Sequence, residues 1–339
     1  MARFVTPRRV TLWLLLAGLL AAPYLAEATG NGYFISVLSR ILIYGLAALS
    51  LDFILGFAGL VSLAHAAFLG IGAYVAASLS FHAYEETAIG FGLPGTNEAL
   101  VAWPLAMLLA GLFAACIGWV SLRTRGVYFI MITLAFGQML FYFAISLEAY
   151  GGDDGLSLWW GRNVLAGFEL GDRTVFYYVC LALLVAALAM FSRIVTSPFG
   201  RMLQAGRDNE PRLHALGINP GRARLYAFAL SGAICGLAGA LLVNQAEFVS
   251  PDILRWSRSG ELLVMVILGG MGTLVGGIVG AFALLLMEEI LIGYTEHWQI
   301  YLGPILIAVV LFARGGLWGM LPRTTRSPKA PRSKQADHG

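Results

Sequence analysis

The chain has 339 residues, of which 59% are hydrophobic and only 12% charged, with a formal net charge of +3. Soluble domains carry about 25% charged residues, so a chain this apolar lacks the polar surface to cover a water-exposed core, and a soluble globular fold is excluded. The apolar residues fall in blocks of roughly twenty, the length that crosses about 30 Å of hydrocarbon, and such segments must be helical because lipid offers no partner to an open backbone group.

Taken in chain order, the blocks predict membrane spans at 10–28, 34–56, 59–81, 101–122, 127–147, 174–195, 223–246, 259–271, 274–293 and 299–314. The first follows Arg3, Arg8 and Arg9 and ends near Ala26-Glu27-Ala28. A cleaved leader and an uncleaved first span both fit that pattern; the basic flank and the many helices beyond favour the uncleaved span. The eighth block is short, and reads as a half-helix or as one arm of a hairpin with the ninth around Gly269, Gly270 and Gly272. A similarity links Leu55-Gly56-Phe57-Ala58-Gly59 to Leu268-Gly269-Gly270-Met271-Gly272, each followed by a helix rich in small residues. Internal repeats of this kind are common in transporters.

The loops orient these spans, because Lys and Arg concentrate on the cytoplasmic side. The loop after the third span carries Glu85, Glu86 and Glu98, and the one after the fifth carries Glu148, Asp153, Asp154, Glu169 and Asp172 against Arg162 and Arg173. Arg123 and Arg125 follow the fourth span. Arg193, Arg201, Arg207, Arg212, Arg222 and Arg224 surround the long connection after the sixth, and the tail adds Arg323, Arg326, Lys329, Arg332 and Lys334. Acidic and basic loops alternate. The expected fold is therefore all-α, a polytopic integral membrane protein of about ten transmembrane helices with both termini in the cytoplasm. Residues 1–9 form a cytoplasmic N-terminus, 10–321 the membrane domain, and 322–339 a disordered basic tail. Within the membrane domain, 148–173 is an external loop and 196–222 a cytoplasmic one. Arg255 and Arg258 fall outside in this topology, beside Glu247, Asp252 and Glu261, and fit it least well.

Glycines at helical spacing, Gly232, Gly236 and Gly239 and again Gly276 and Gly280, read as close helix packing. Cys116, Cys180 and Cys235 lie in apolar blocks without metal-ligand spacing, and read as small packing residues. Intramembrane polar residues are few: Asp52, Ser62, His65, Thr133, Gln138, Ser231 and Asn244. Asp52 and His65 are functional candidates because charge is disfavoured in the bilayer. His65 also fits a hydrogen-bonded contact between helices, and Asp52 also fits a side chain reaching the interface. No chain of acidic residues relays protons and no cluster invites sodium, which disfavours an ion-coupled carrier. No nucleotide-binding glycine loop, paired-histidine motif or nucleophile elbow is present, so an energy source must come from another chain or an ion gradient.

The connection Ser197 to Arg224 is the most informative segment. Pro198 and Gly200 open it, and Asn219, Pro220 and Gly221 close it. Its charged stretch has room for one or two short helices, with Met202, Leu203, Leu213 and Leu216 as apolar anchors. Apolar anchors ringed by charge describe a docking surface.

Several stretches together resemble a known family. GLVSLAHAAFLGIGAY (Gly59 to Tyr74), TRGVYFIMITLAFGQM (Thr124 to Met139), GGDDGL (Gly151 to Leu156) and GRMLQAGRDNEPRLHALGIN (Gly200 to Asn219) are similar to the permease subunits of branched-chain amino acid ABC importers. The resemblance implies two related permease subunits, two cytoplasmic ATPase subunits and a periplasmic binding protein, with ATP used by the ATPases and no cofactor on this chain. It implies a bacterial inner membrane with lipid, and no nucleic acid, as neighbour. By the same resemblance Arg201, Gly206, Arg207, Asp208, Asn209, Glu210 and Gly217 form the element that couples to the ATPase. Gly59, Ser62, His65, Gly70, Gly72, Gln138, Gly269 and Gly272 are expected at the pathway or in the packing around it. Urea, short amides or other small organic solutes are the alternative cargo. Three departures from the family pattern stand out: Ala64 in place of a common glycine, Gly206 in place of an apolar branched residue, and Pro211-Arg212. Gly206 is expected to loosen its helix by roughly 1 kcal/mol.

Overall fold

The predicted spans become helices in the computed structural model, which describes residues 7–28, 32–89, 93–165, 168–295, 297–312 and 315–320. In chain order these are α1 (Pro7–Ala28), α2 (Gly32–Asp52), α3 (His65–Tyr84), α4 (Ala99–Ser121), α5 (Val127–Ile145), α6 (Arg173–Thr196), the short α7 (Pro198–Asp208) and α8 (Glu210–Ala215), α9 (Pro220–Ala246), α10 (Trp256–Gly269), α11 (Val275–Ile292), α12 (Trp298–Phe312) and the single turn α13 (Gly316–Gly319). Seven of them are long and apolar enough to cross a membrane, and shorter apolar stretches lie at Leu14–Tyr24 and Gln299–Ala308. The chain is a multi-pass, all-helical membrane bundle. The expected tail, 322–339, and the residues before Pro7 lie outside the described residues.

The bundle is organised around α2, whose apolar run is buried on every side. Its neighbours are α6, α9, α10 and α11, while α3 and α4 close against α9. Lipid tails are as apolar as leucine, so burial alone does not drive this packing; close backbone approach does. A Cβ on Gly72 would overlap the Gly236 carbonyl, one on Gly239 the Leu69 carbonyl, and one on Gly236 would lie 3.0 Å from the Ala106 carbonyl oxygen. Cys180 and Cys235 are buried packing residues as expected, whereas Cys116 is exposed on α4.

Two predicted boundaries shift. The third span was expected from residue 59, but α2 continues through a wide π turn, Phe53–Ala58, and α3 starts only at His65. Residues 59–64 between them are not helical. The eighth span is a half-helix: α10 has 14 residues, about 21 Å at 1.5 Å per residue, too short for the hydrocarbon layer. Its start lies deep in the bundle. The Ser259 hydroxyl donates to the Leu63 carbonyl at 2.8 Å, and that carbonyl also faces Gly137, midway along α5. The turn before α10, Pro251–Leu254, packs its Leu254 against Gly70 of α3. Arg255 sits over the Phe141 ring of α5 at 5.5 Å. Arg255 and Arg258, expected outside the membrane, therefore lie alongside the spans. A chain segment dips into the bundle before α10, which loop charge counting does not register.

At the end of the bundle that holds loop 148–173, short strand pairs and polar side chains tie the connections together. Leu156–Ser157 pairs antiparallel with Phe248–Val249. Asn163 and Asn244 exchange hydrogen bonds at 2.6 and 2.8 Å. Asn163 also donates to Asn97 at 2.8 Å, and Trp160 donates to Ser80 at 2.6 Å. Asn244, singled out as an intramembrane polar residue, thus anchors a loop.

Candidate functional site

At the opposite end two interruptions of helix meet. The first comprises 59–64, between α2 and α3, and the second 270–274, between α10 and α11. The stretches whose sequences resemble each other, 55–59 and 268–272, lead into them. A Cβ on Gly56 would overlap the Gly272 backbone, so the π turn that leads into the first interruption touches the second through glycines. Gly59 and Gly272 hold φ values of 71° and 74°, a left-handed conformation that side chains disfavour.

Each interruption is held by a polar side chain from the other half. The fully buried Asp52 accepts from Gly272 N–H at 2.6 Å and from Leu274 N–H at 2.8 Å. Leu274 itself has a strained φ of 59°, and the carboxylate fixes it there. Asp52 does not reach a water interface; it satisfies backbone donors that lipid would leave open. In the other direction the Ser259 hydroxyl of α10 accepts from Ala66 N–H at 2.8 Å and donates to Leu63 O at 2.8 Å. Thr133 of α5 accepts from Leu63 N–H at 3.2 Å. Ser62 is buried and accepts from Ala64 N–H at 3.2 Å. His65 is buried with Nε2 2.9 Å from Ser231 Oγ. Because Ser231 donates its proton to Ser50 O at 2.6 Å, Nε2 carries the hydrogen and donates. His65 is thus the interhelical contact among its two sequence readings. A Cβ on Gly269 would overlap the Gly276 carbonyl of α11, and the Gln138 side-chain nitrogen is buried without a partner among the described residues.

The two interruptions are covered differently. Over the second lies α13, whose Gly316 packs on Gly270. Over the first lies Arg207 of α7. Its guanidinium donates to the Gly56 carbonyl, and its Cγ would be 2.7 Å from a Cβ on Gly59.

The elements that carry Arg207 form because their caps are strong. Ser197 accepts from Gly200 N–H at the start of α7, Asn209 from Arg212 N–H at 3.1 Å at the start of α8, and Asn219 from Gly221 N–H at 2.9 Å at the start of α9. Proline follows in the first turn of each, where it removes no needed donor. Glu210 ties the loop to the bundle, 3.0 Å from both Arg224 and Arg125 and 3.6 Å from His214. Arg224 also donates to the Gly206 carbonyl at 2.9 Å. Partial burial pushes the Glu210 carboxyl up, but the bond and charge of Arg224, with Arg125 and His214, outweigh it and hold the pKa below its ordinary value. Gly206 is a close-approach residue, since a Cβ there would lie 3.2 Å from Pro220.

The seven residues carried by the resemblance therefore separate. Arg201, Asp208 and Gly217 are exposed; Asn209 caps α8; Gly206, Arg207 and Glu210 hold the loop against the bundle. Of the expected apolar anchors, Leu203 and Leu213 are buried inward, while Leu216 is 69% exposed. Ile218 joins it on the surface. Arg125, Arg224 and Ser259 were missed as partners. The two arginines counted only as loop charge, and a lone serine gives no signal.

The sequence matches the family described as "Branched-chain amino acid transport system / permease component" over residues 33–314. It is 29% identical over 326 residues to the high-affinity branched-chain amino acid transport system permease protein LivM of Escherichia coli K12, covering 89% of this chain and 74% of that protein. It is 30% identical over 309 residues to LivM of Salmonella typhimurium, covering 84% and 70%. The autoinducer 2 import system permease protein LsrC of Salmonella paratyphi B is 28% identical over 189 residues, covering 52% of this chain and 55% of that protein. No solved structure matches. With the match running through almost every span of the bundle, the chain belongs to the branched-chain amino acid transport system permease family and is a multi-pass membrane transport component.

Proposed function

We propose that this chain is one of two related permease subunits in an ATP-driven importer of branched-chain or related amino acids in a bacterial inner membrane. A periplasmic binding protein delivers the solute to the end bearing loop 148–173. Two cytoplasmic ATPase subunits dock on α7 and α8 and hydrolyse ATP, so this chain carries no catalytic residue and binds no cofactor. The docking face is Leu216 and Ile218 with Asp208 and the exposed basic residues around them.

The observation that carries this reading is Arg207. It joins an exposed loop helix to the interrupted segment beside α2, the buried centre of the bundle. A push on α7 from below acts on residues 56–59 directly, and through Glu210 and Arg224 it acts on α9. The packed helices then rock as rigid bodies between outward and inward access. The relatives named LivM support amino acids as cargo. The more distant LsrC shows that a related permease serves a different solute.

Reconstitution with the partner subunits tests the reading. Leucine, isoleucine or valine, presented on the binding protein, should stimulate ATP hydrolysis and accumulate in vesicles. Arg207→Gln should leave the complex assembled and hydrolysing ATP while uptake per ATP falls several-fold. Uptake by the lone chain without any ATPase would sink the proposal.

A further inference from the structure

Ionisable side chains from three elements gather on one face beside α10. Arg258 pairs with Glu261 at 2.9 Å, and Arg40 of α2 lies 3.6 Å from Glu288 of α11. The two pairs are one cluster: Glu288 interacts electrostatically with Arg40, Glu261 and Arg258. Three of the four are open, the side chains of Arg258, Glu261 and Arg40 being 38%, 43% and 36% exposed, while Glu288 is 18% exposed. Their depth makes this unusual. Ser259, between Arg258 and Glu261, bonds to Leu63, which lies level with the middle of α5. Charged groups at such depth are strongly disfavoured against lipid and face the bundle interior or water instead.

We infer that this face is a transit site for a zwitterion, with Arg258 receiving its carboxylate, Glu261 its ammonium group, and Arg40 and Glu288 offering the next such pair. The inference rests on the amino-acid reading of the cargo. A zwitterion carries both signs a few bonds apart. It can exchange an existing ion pair for two pairs to itself without stranding a desolvated charge. Arginine suits the carboxylate because its planar fork binds both oxygens. The partly exposed pair Arg258–Glu261 is individually weak, so the exchange there is readily reversed, and a site that conducts must release what it binds. A solute of one sign would leave one partner of each pair unmatched.

The test uses the reconstituted importer with Arg258→Gln, Glu261→Gln and the exchanged pair Arg258→Glu with Glu261→Arg. Each neutral variant should assemble with its partners and retain ATP hydrolysis, but lower leucine uptake about tenfold, the loss of one charge-assisted bond. The exchanged pair should restore part of the uptake, which a purely structural role would not predict. Normal leucine uptake in both neutral variants would overturn the site alone. Loss of co-purification with the second permease would also overturn it, making this face an assembly surface. Uptake of an uncharged solute but of no amino acid by the unmodified complex would overturn the cargo assignment and the site together.

Discussion

The two helix interruptions begin from similar sequences and end in different surroundings. Residues 270–274 are held by a buried carboxylate and capped by α13, a piece of the same bundle. Residues 59–64 are held by the hydroxyls of Ser259 and Thr133 and lie under Arg207, which belongs to an exposed loop. Ionic hydrogen bonds are roughly twice as strong as neutral ones. The second interruption is thus the fixed member and the first the one that outside forces can reach. Similar local backbone problems were solved with different strengths, and the weaker solution sits under the exposed loop that the proposed function assigns to docking.

Substitutions can break or sharpen that comparison. Asp52→Ala strands two buried N–H groups and frees the strained Leu274, which should lower stability by about 2–6 kcal/mol; thermal unfolding in detergent measures it. Ser259→Ala removes one acceptor and one donor at the first interruption and should lower stability by about 1–3 kcal/mol. Equal losses in the two variants would erase the distinction between a fixed and a yielding interruption.

A smaller effect should come from acid. The lowered pKa of Glu210 means that its pairing with Arg224 stabilises the loop fully above the ordinary glutamate pKa of about 4.3. That contribution is lost as pH falls through the native value. The protection of α7 and α8 against hydrogen exchange, measured relative to the intrinsic rate at each pH, should therefore fall at acid pH, and Glu210→Gln should lower it at neutral pH as well. The smallest effect on the fold belongs to Asp208→Lys, which removes an exposed ion pair to Arg207 at 3.1 Å and should shift stability by at most about 1 kcal/mol. Its expected effect is on partner binding: co-purification of the ATPase should weaken while the melting curve stays in place. If Asp208→Lys instead unfolds the loop, α7 is not a free docking surface.

Particular residues show how far sequence reading reached. Leu203, Leu213 and Leu216 look alike in a polar loop, yet two turn inward and one outward. Which side of a short helix is covered depends on the angle at which α6 and α9 bring the bundle to it. Asp52 was visible as an anomaly in an apolar run, but its partners lie more than two hundred residues away. Arg255 and Arg258 looked like loop charges because nothing local says that a chain dips into the bundle before a half-helix.

Composition by itself determined that the chain lives in lipid, because blocks of some twenty apolar residues have no other stable solvent. Charge alternation and the capped, arginine-rich connection are also local properties, so the presence of the spans and of the short helices between the sixth and seventh was readable in one dimension. The tertiary structure alone decided which polar groups meet: Asp52 with residues 272–274, Ser259 with residues 63–66, Arg207 with Gly56. Inside a membrane an open backbone group needs a partner, but the partner's identity is set by how the helices cross, and that is written in no single segment.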